Sequence, residues 1–274
     1  MEKTKILFIT QEITPYLPET QMGLVGRHLP QGIQERNKEI RTFMPRFGCI
    51  NERRNQLHEV IRLSGMNLII NDADHPLIIK VASIQSARMQ IYFIDNEDYF
   101  QRKYIFHDKN NKFFEDNDER IIFYSRGVLE TVKKLGWAPD IVHCHGWISS
   151  LVPLYIKKAF KDNPIFTDAK IIYSIYDDEF KETLNKNFIN KIKLEGITNK
   201  DVAHYKEPNF VNLMKSAIDF SDAIIIGSEN INPDIEKYTK NINKPMLEYQ
   251  SVDNYIEKFS DFYNEILATE TVAS

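Results

Sequence analysis

Glycine is scarce in this sequence, with 10 among 274 residues, about half of the usual share of roughly 7%. This shortage disfavours functions that need a glycine-rich phosphate loop. The two cysteines, Cys49 and Cys144, are too few for a disulfide framework, so we expect two reduced thiols in a cytoplasmic protein. No apolar run approaches the ~18 residues of a membrane span, and nothing resembles a signal peptide, so we expect no membrane partner.

An excess of charge of either sign is also missing. The chain has 35 Lys and Arg against 39 Asp and Glu, a net charge of −4 and a pI near 6.0. Acidic and basic residues are interspersed, which leaves no basic patch for a nucleic acid. We therefore expect no nucleic-acid partner.

Short apolar runs alternate with longer amphipathic segments, a pattern typical of an α/β fold with a mainly parallel sheet. We predict one Rossmann-like domain over residues 1–274, with short antiparallel strands inserted at about 57–94. The predicted main strands are 5–10, 39–44, 141–144, 170–175 and 223–226. The predicted helices are 22–35, 119–135, 147–159, 212–220 and a terminal one at 252–268, with a helical excursion within 178–210.

A histidine pair stands at a predicted strand-to-helix junction, where open α/β sheets bind ligands. His143 and His145 should point to the same side, because side chains alternate along a strand. No third ligand follows at a recognisable spacing, so we expect neither a metal nor a cofactor. Two interpretations of the pair stay open: a histidine that faces a sugar or a phosphate, and a merely structural pair. Gly146 and Trp147 follow directly in the sequence.

Polar side chains also follow three other predicted strands. Asp95, Asn96 and Tyr99 combine groups that bond sugar hydroxyls with a ring that can stack on a sugar. The alternative is a helix N-cap with aromatic packing beneath it, which is commoner. Glu12 is either a ligand contact or a loop carboxylate. The segment 176–179 could carry acid–base carboxylates or form a solvated loop.

Several segments in order resemble the N-terminal half of bacterial glycogen and plant starch synthases, the ADP-glucose-dependent retaining glucosyltransferases. The likeness covers about residues 3–235. Its segments are KILFITQEITP at 5–15, Leu29-Pro30, RTFMPRF at 41–47, IDNEDYF at 94–100, ERIIFYSR at 119–126, PDIVHCHGW at 139–147 and, more faintly, 221–223 and 227–228.

The resemblance implies the first domain of a GT-B glycosyltransferase, whose family activity is glucosyl transfer from ADP-glucose to an α-1,4-glucan. The family's second domain is then absent from this sequence, and no residue is assigned a catalytic role. The predicted partners are an α-glucan or a sugar nucleotide. The candidate substrate-binding residues are Glu12, Asp95, Asn96, Tyr99, His145, Gly146, Trp147 and Tyr176.

The sequence departs from the family pattern at three positions of one site. The family's Lys-x-Gly-Gly loop falls on Pro18-Glu19-Thr20-Gln21, the aspartate of its His-Asp-Trp motif is Gly146, and a sugar-contacting histidine aligns with Tyr176. Autonomous glucosyl transfer is therefore not expected.

The alternatives are a non-catalytic carbohydrate-binding module, a protein-interaction module, or one half of a split glycosyltransferase. The face that would meet a second domain should be unusually apolar. Such a face would favour a homo-oligomer or a partner protein.

Overall fold

The computed structural model describes residues 2–251 and 253–268, and this part of the chain folds into ten strands and eight α-helices. The strands are β1 Lys5–Thr10, β2 Glu39–Pro45, β3 His58–Glu59, β4 Met66–Ile70, β5 Ala73–Ile84, β6 Met89–Asp95, β7 Ile141–His145, β8 Lys170–Ile175, β9 Ala223–Ile226 and β10 Met246–Leu247. The helices are α1 Gln21–Glu35, α2 Glu97–Phe100, α3 Asn117–Leu135, α4 Val152–Lys158, α5 Phe188–Ile192, α6 Phe210–Phe220, α7 Pro233–Thr239 and α8 Tyr255–Ala268.

One mixed sheet organises the molecule. Its strand order is β10-β9-β8-β7-β1-β2-β6-β5-β3, and β4 pairs with β5 beside this path. All pairs from β10 to β6 are parallel. Ile6, Leu7, Phe8 and Ile9 of β1 are at most 1% exposed, because helices cover both faces of a parallel sheet. The predicted α/β class is confirmed.

The inserted strands are antiparallel around β5, as predicted. This strand pairs antiparallel with β3, β4 and β6, whereas β6 also pairs parallel with β2 and so joins the main sheet. Asn71 and Asp72 both have positive φ in the two-residue turn from β4 to β5, a conformation that asparagine and aspartate tolerate. Within the insertion predicted at about 57–94, the apolar run 60–63 was one of the expected short strands, and this expectation is wrong. Its backbone forms a local turn in which Leu63 N–H donates to the Val60 carbonyl.

Helix ends follow local signals. The Thr20 hydroxyl accepts a hydrogen bond from Gly23 N–H at 2.9 Å and begins α1. Gly136, at φ 61°, ends α3 in the left-handed conformation, as predicted. The single helix expected over 147–159 is wrong, because a 3₁₀ turn precedes α4 and Pro153, in the first turn of α4, has no N–H to donate.

Helices α1 and α8 cover one face of the sheet, and the larger apolar cluster with α3, α4 and α6 covers the other. The predicted terminal helix begins at Tyr255, and its predicted first residue, Val252, lies outside the described residues. The excursion within 178–210 packs onto the domain, with Phe188, Ile192 and Tyr205 fully buried. In the described ranges, no helix has the length and apolarity that a bilayer crossing requires.

Candidate functional site

A cavity of about 600 Å³ opens at the carboxyl ends of β1, β7, β8 and β9. Loops after parallel strands meet at this edge, which is where open α/β sheets bind ligands. The lining residues are Gln11, Glu12, Thr20, Gln21, Met22, Phe106, His107, Phe113, Trp147, Tyr176, Asp177, Asp178, Glu179, Phe180, Ser228, Glu229 and Asn230.

Aromatic rings form one wall of this cavity. The Trp147 ring centroid lies 4.4 Å from that of Phe106 and 4.8 Å from that of Phe180. Phe113 stacks on Phe180 at 5.1 Å with an interplanar angle of 21°. Trp147 is only 2% exposed, whereas Phe106 is half-buried. The wall therefore offers ring edges and faces to an apolar ligand surface.

Five carboxylates line the cavity, and the described lining residues include neither lysine nor arginine. The Asp178 Oδ2 atom accepts a hydrogen bond from Trp147 N–H at 3.0 Å. Burial raises the pKa of Asp178 to about 7, and the nearby Glu12 charge adds to the rise. The five carboxylates are Glu12, Asp177, Asp178, Glu179 and Glu229.

The loop 18–21 turns its polar groups toward its own helix. Thr20 caps α1 and also donates its hydroxyl to Glu12 Oε2 at 2.5 Å. A carboxylate is stabilised near a helix N-terminus, where free N–H groups create positive potential. The N-terminal end of α1 is therefore already matched with an internal anion. Pro18, Glu19, Thr20 and Gln21 supply no positive charge.

Tyr176 fills the position after β8 with its ring. It is 3% exposed, and its hydroxyl lies 2.9 Å from Nδ1 of His145. Gly227 passes beneath the ring so closely that a Cβ atom there would stand 2.8 Å from Tyr176 Cε1 and Cζ. Burial lowers the pKa of His145 to about 3, so its imidazole is neutral at physiological pH. Its Nε2 atom makes no hydrogen bond in the described part of the chain.

The other histidine is structural. The His143 and His145 ring centroids are 3.8 Å apart, on the same side of β7 as predicted. Nδ1 of His143 lies 2.7 Å from the Tyr263 hydroxyl of α8, and Nε2 lies 2.7 Å from the Ser174 hydroxyl. Through these two contacts His143 connects α8 to the sheet beneath the cavity. Nowhere in residues 2–251 and 253–268 are three or more His, Cys, Asp or Glu residues placed to hold a metal ion.

Five of the eight candidate residues meet at this edge. Glu12, Trp147 and Tyr176 line the cavity, and His145 contacts Tyr176 from below. Gly146 has φ 82°, and a Cβ atom there would approach Gln11 and Met22 to within 3 Å. A side chain at this position would therefore displace lining residues.

The other three candidates, Asp95, Asn96 and Tyr99, lie outside the cavity lining. Asp95 is fully buried, with Oδ2 at 2.8 Å from Lys80 Nζ. The Asn96 side chain caps α2, as in the alternative interpretation of the sequence. Tyr99 is 2% exposed and donates its hydroxyl to Glu119 at 2.8 Å. Each side chain is thus engaged within the protein.

The sequence did not single out several lining residues. Phe106, His107 and Phe113 come from a loop without periodicity, so only the tertiary structure brings them to the cavity. Ser228 is the second residue after β9, and the strand-end rule applied to that strand could have found it. Its hydroxyl accepts a hydrogen bond from Asp177 N–H at 3.1 Å and joins the two loops.

The lining of this cavity is acidic, whereas the sequence analysis expected an apolar face where a second domain would meet this one. In the described part of the chain, the large exposed hydrophobic residues are Ile61, Ile69 and Tyr104, at 75%, 61% and 44% exposure. Ile61 and Ile69 belong to the antiparallel insertion rather than to the cavity. The expected apolar face stays a prediction, since these three exposed residues all lie outside the cavity lining.

Residues 5–245 match the family model described as the starch synthase catalytic domain. The glycogen synthase of Chlorobium limicola is 33% identical over 221 residues, covering 80% of this chain and 45% of that protein. The glycogen synthase of Chlorobaculum parvum is 28% identical and covers 96% of this chain and 52% of that protein. The chain thus spans about half the length of the curated relatives it matches.

The catalytic domain of Starch Synthase IV from Arabidopsis thaliana, solved bound to ADP and acarbose, has a similar fold. The TM-score is 0.68 at 18% identity, covering 82% of this chain and 45% of that one. The fold thus agrees with a GT-B glycosyltransferase catalytic domain. On the family match and the sequence identity, the chain belongs to the glycogen and starch synthase family, within its starch synthase catalytic domain.

Proposed function

We propose that this chain binds a neutral α-glucan in the cavity at the carboxyl edge of the sheet, and that it does not transfer glucose from ADP-glucose by itself. One observation carries the proposal. The described lining combines an aromatic wall with five carboxylates and lacks lysine and arginine. Such a surface suits a hydroxyl-rich neutral ligand and opposes an anionic one.

The carboxylates disfavour the diphosphate of a sugar nucleotide. Two like charges 4 Å apart repel by about 4 kcal/mol at an effective dielectric constant of 20. The loop at 18–21 brings no compensating cation, and Pro18 has no N–H to donate. Glu12, bonded to Thr20, already stands near the N-terminus of α1, the position that would otherwise attract a phosphate.

The same lining favours sugar hydroxyls. Ionised carboxylates accept short, strong hydrogen bonds from hydroxyl groups. Aromatic rings such as Phe106 can contact the C–H surface of a pyranose ring. Acarbose bound to the Arabidopsis relative supports an oligosaccharide as the ligand class to test first.

The two unpaired cysteines support a reducing, cytoplasmic location.

Isothermal titration calorimetry with maltotriose and with ADP-glucose tests the proposal, alongside a glucan-extension assay. We expect maltotriose to bind, ADP-glucose not to bind, and no extension to occur. Phe106→Ala should weaken maltotriose binding about tenfold, as truncation of a central aromatic contact commonly does. Tyr104→Ala, an exposed site outside the lining, is the matched control. Glucan extension by the chain alone would refute the proposal.

A second candidate is one half of a split glucosyltransferase, completed by a separate second domain. It is favoured by the site's position, since the cavity opens at the edge that ligands use in such sheets. Mixing the chain with the isolated second domain of a related glycogen synthase tests it. Extension only in the mixture would favour this candidate, and an inactive mixture that still binds maltotriose would favour the binding module.

A further inference from the structure

The loop at 101–116 joins α2 to α3 and carries three lining residues of the cavity, Phe106, His107 and Phe113. Within these described residues the backbone forms neither an α-helix nor a strand. Its internal hydrogen bonds, such as that from Phe114 N–H to the Phe106 carbonyl at 3.0 Å, close the loop on itself. They do not attach it to the rest of the domain, so contacts from outside the loop must set the position of Phe106.

Arg120 provides such contacts from near the start of α3, where it is only 1% exposed. Its Nε atom donates to the Tyr99 carbonyl at 2.8 Å, and Nη1 donates to the Ile105 carbonyl and to Asn117 Oδ1, both at 2.6 Å. Hydrogen bonds and the faces of aromatic rings stabilise a buried cation. The guanidinium carbon lies 5.3 to 5.7 Å from the ring centroids of Phe47, Phe100, Phe106 and Phe114.

Asn117 adds a second contact, three residues before Arg120. Its Oδ1 atom accepts the bond from Arg120, and its Nδ2 atom donates to the Phe106 carbonyl at 3.0 Å. Two consecutive carbonyls of the loop, those of Ile105 and Phe106, are therefore held from the start of α3. Neither Arg120 nor Asn117 belongs to the described lining of the cavity, so both can act on a ligand only through the loop.

We propose that Arg120 and Asn117 are positioning residues of the sugar site, which hold the Phe106 ring at 4.4 Å from the Trp147 ring so that it can contact a glucose unit. This inference rests on the proposed function, because it assumes that a glucan contacts Phe106. A wall that is already in place binds more tightly than a loop that must become ordered when the ligand arrives.

Asn117→Asp separates positioning from structural support. The new carboxylate still accepts the bond from Arg120 but no longer donates to the Phe106 carbonyl. A charge-assisted pair with Arg120 offsets the lost bond, so we expect an unfolding temperature close to that of the wild type. Maltotriose affinity in calorimetry should fall about fivefold, the effect of one lost hydrogen bond. Asn110→Asp, the same change at an exposed residue of the loop, is the matched control and should alter neither quantity.

A double-mutant cycle shows whether the effect passes through the Phe106 ring. In a chain that already carries Phe106→Ala, Asn117→Asp should cause no further loss of affinity, because the ring on which it acts is absent. An equal loss with and without the ring would overturn the positioning role. Arg120→Lys is the second variant, since one ammonium group cannot reproduce the fork of the guanidinium, and its loss of affinity should depend on Phe106 in the same way.

The fluorescence of Trp147, measured in a Trp137→Phe chain, gives a readout that needs no ligand. Acrylamide quenching should rise in Asn117→Asp as it does in Phe106→Ala, because the Phe106 ring packs against the indole. Unchanged quenching would overturn the positioning role, whatever the sugar result. If the wild-type chain fails to bind maltotriose, the proposed function is refuted instead, and quenching still shows whether Arg120 and Asn117 hold Phe106 in place.

Discussion

Replacing Asp95 with asparagine tests whether this predicted ligand is a structural anion. Its Oδ2 atom lies 2.8 Å from Lys80 Nζ and 3.8 Å from Arg46 Nε, and the carboxylate is fully buried. The two cations are only 15% and 9% exposed at their side chains. Loss of the charge would therefore leave positive groups that water compensates poorly.

The expected cost follows from this arrangement. Removing one partner of a buried ion pair typically costs about 3–5 kcal/mol. Glu52 stays bonded to both cations, with Oε1 at 2.7 Å from Lys80 Nζ, so we expect the lower end, about 3 kcal/mol. With a urea m-value of roughly 2–3 kcal/mol/M, the unfolding midpoint should fall by about 1 M.

Urea unfolding followed by circular dichroism measures this shift, and calorimetry measures maltotriose affinity in the same variant. We expect Asp95→Asn to lose stability but to keep its affinity for the sugar. Glu52→Gln is the matched control, since its side chain is 31% exposed and its loss should be only about 1 kcal/mol. An unchanged unfolding midpoint with lost sugar binding would show that Asp95 is a ligand after all.

Three further changes test the neighbourhood of Tyr176. Tyr176→Phe removes the hydroxyl beside His145 Nδ1, so a buried polar atom loses its partner. We expect the free energy of unfolding to fall by about 1–3 kcal/mol. An unfolding midpoint equal to that of the wild type would contradict this. Gly227→Ala should lower the free energy of unfolding by about 1–3 kcal/mol and weaken maltotriose binding, because its Cβ would stand 2.8 Å from the Tyr176 ring. Unchanged stability and binding would argue against a fixed Tyr176 ring. Asp178 has its pKa raised to about 7 by burial, so the folded state holds a proton that the unfolded state releases. The free energy of unfolding should therefore fall as pH rises from about 4 to 7, and Asp178→Asn should flatten that slope in unfolding experiments across this range.

The sequence by itself determined the order and nature of the main elements. β1, β8 and β9 lie where apolar runs rich in Ile and Phe predict strands buried on both faces. The end of α3 follows from Gly136, which adopts the left-handed conformation without steric cost. These features depend on neighbouring residues in the chain, so local patterns predict them. The alternation of these runs with amphipathic segments predicted the mainly parallel sheet, and the strand-end rule predicted the edge where a ligand would bind.

Only the tertiary structure decided which polar residues share that edge. β9, β8, β7 and β1 are consecutive neighbours in the sheet, so the groups after them, including Glu12 and Tyr176, converge on one cavity. β6 lies beyond β2 in the sheet, and Asp95 at its end faces Lys80 of β5 instead. Strand order is set by long-range packing, so no local pattern could separate Asp95 from Glu12. Both residues are polar and follow a strand, but the neighbours of Asp95 in space give it a structural role, whereas Glu12 lies in the lining of the cavity.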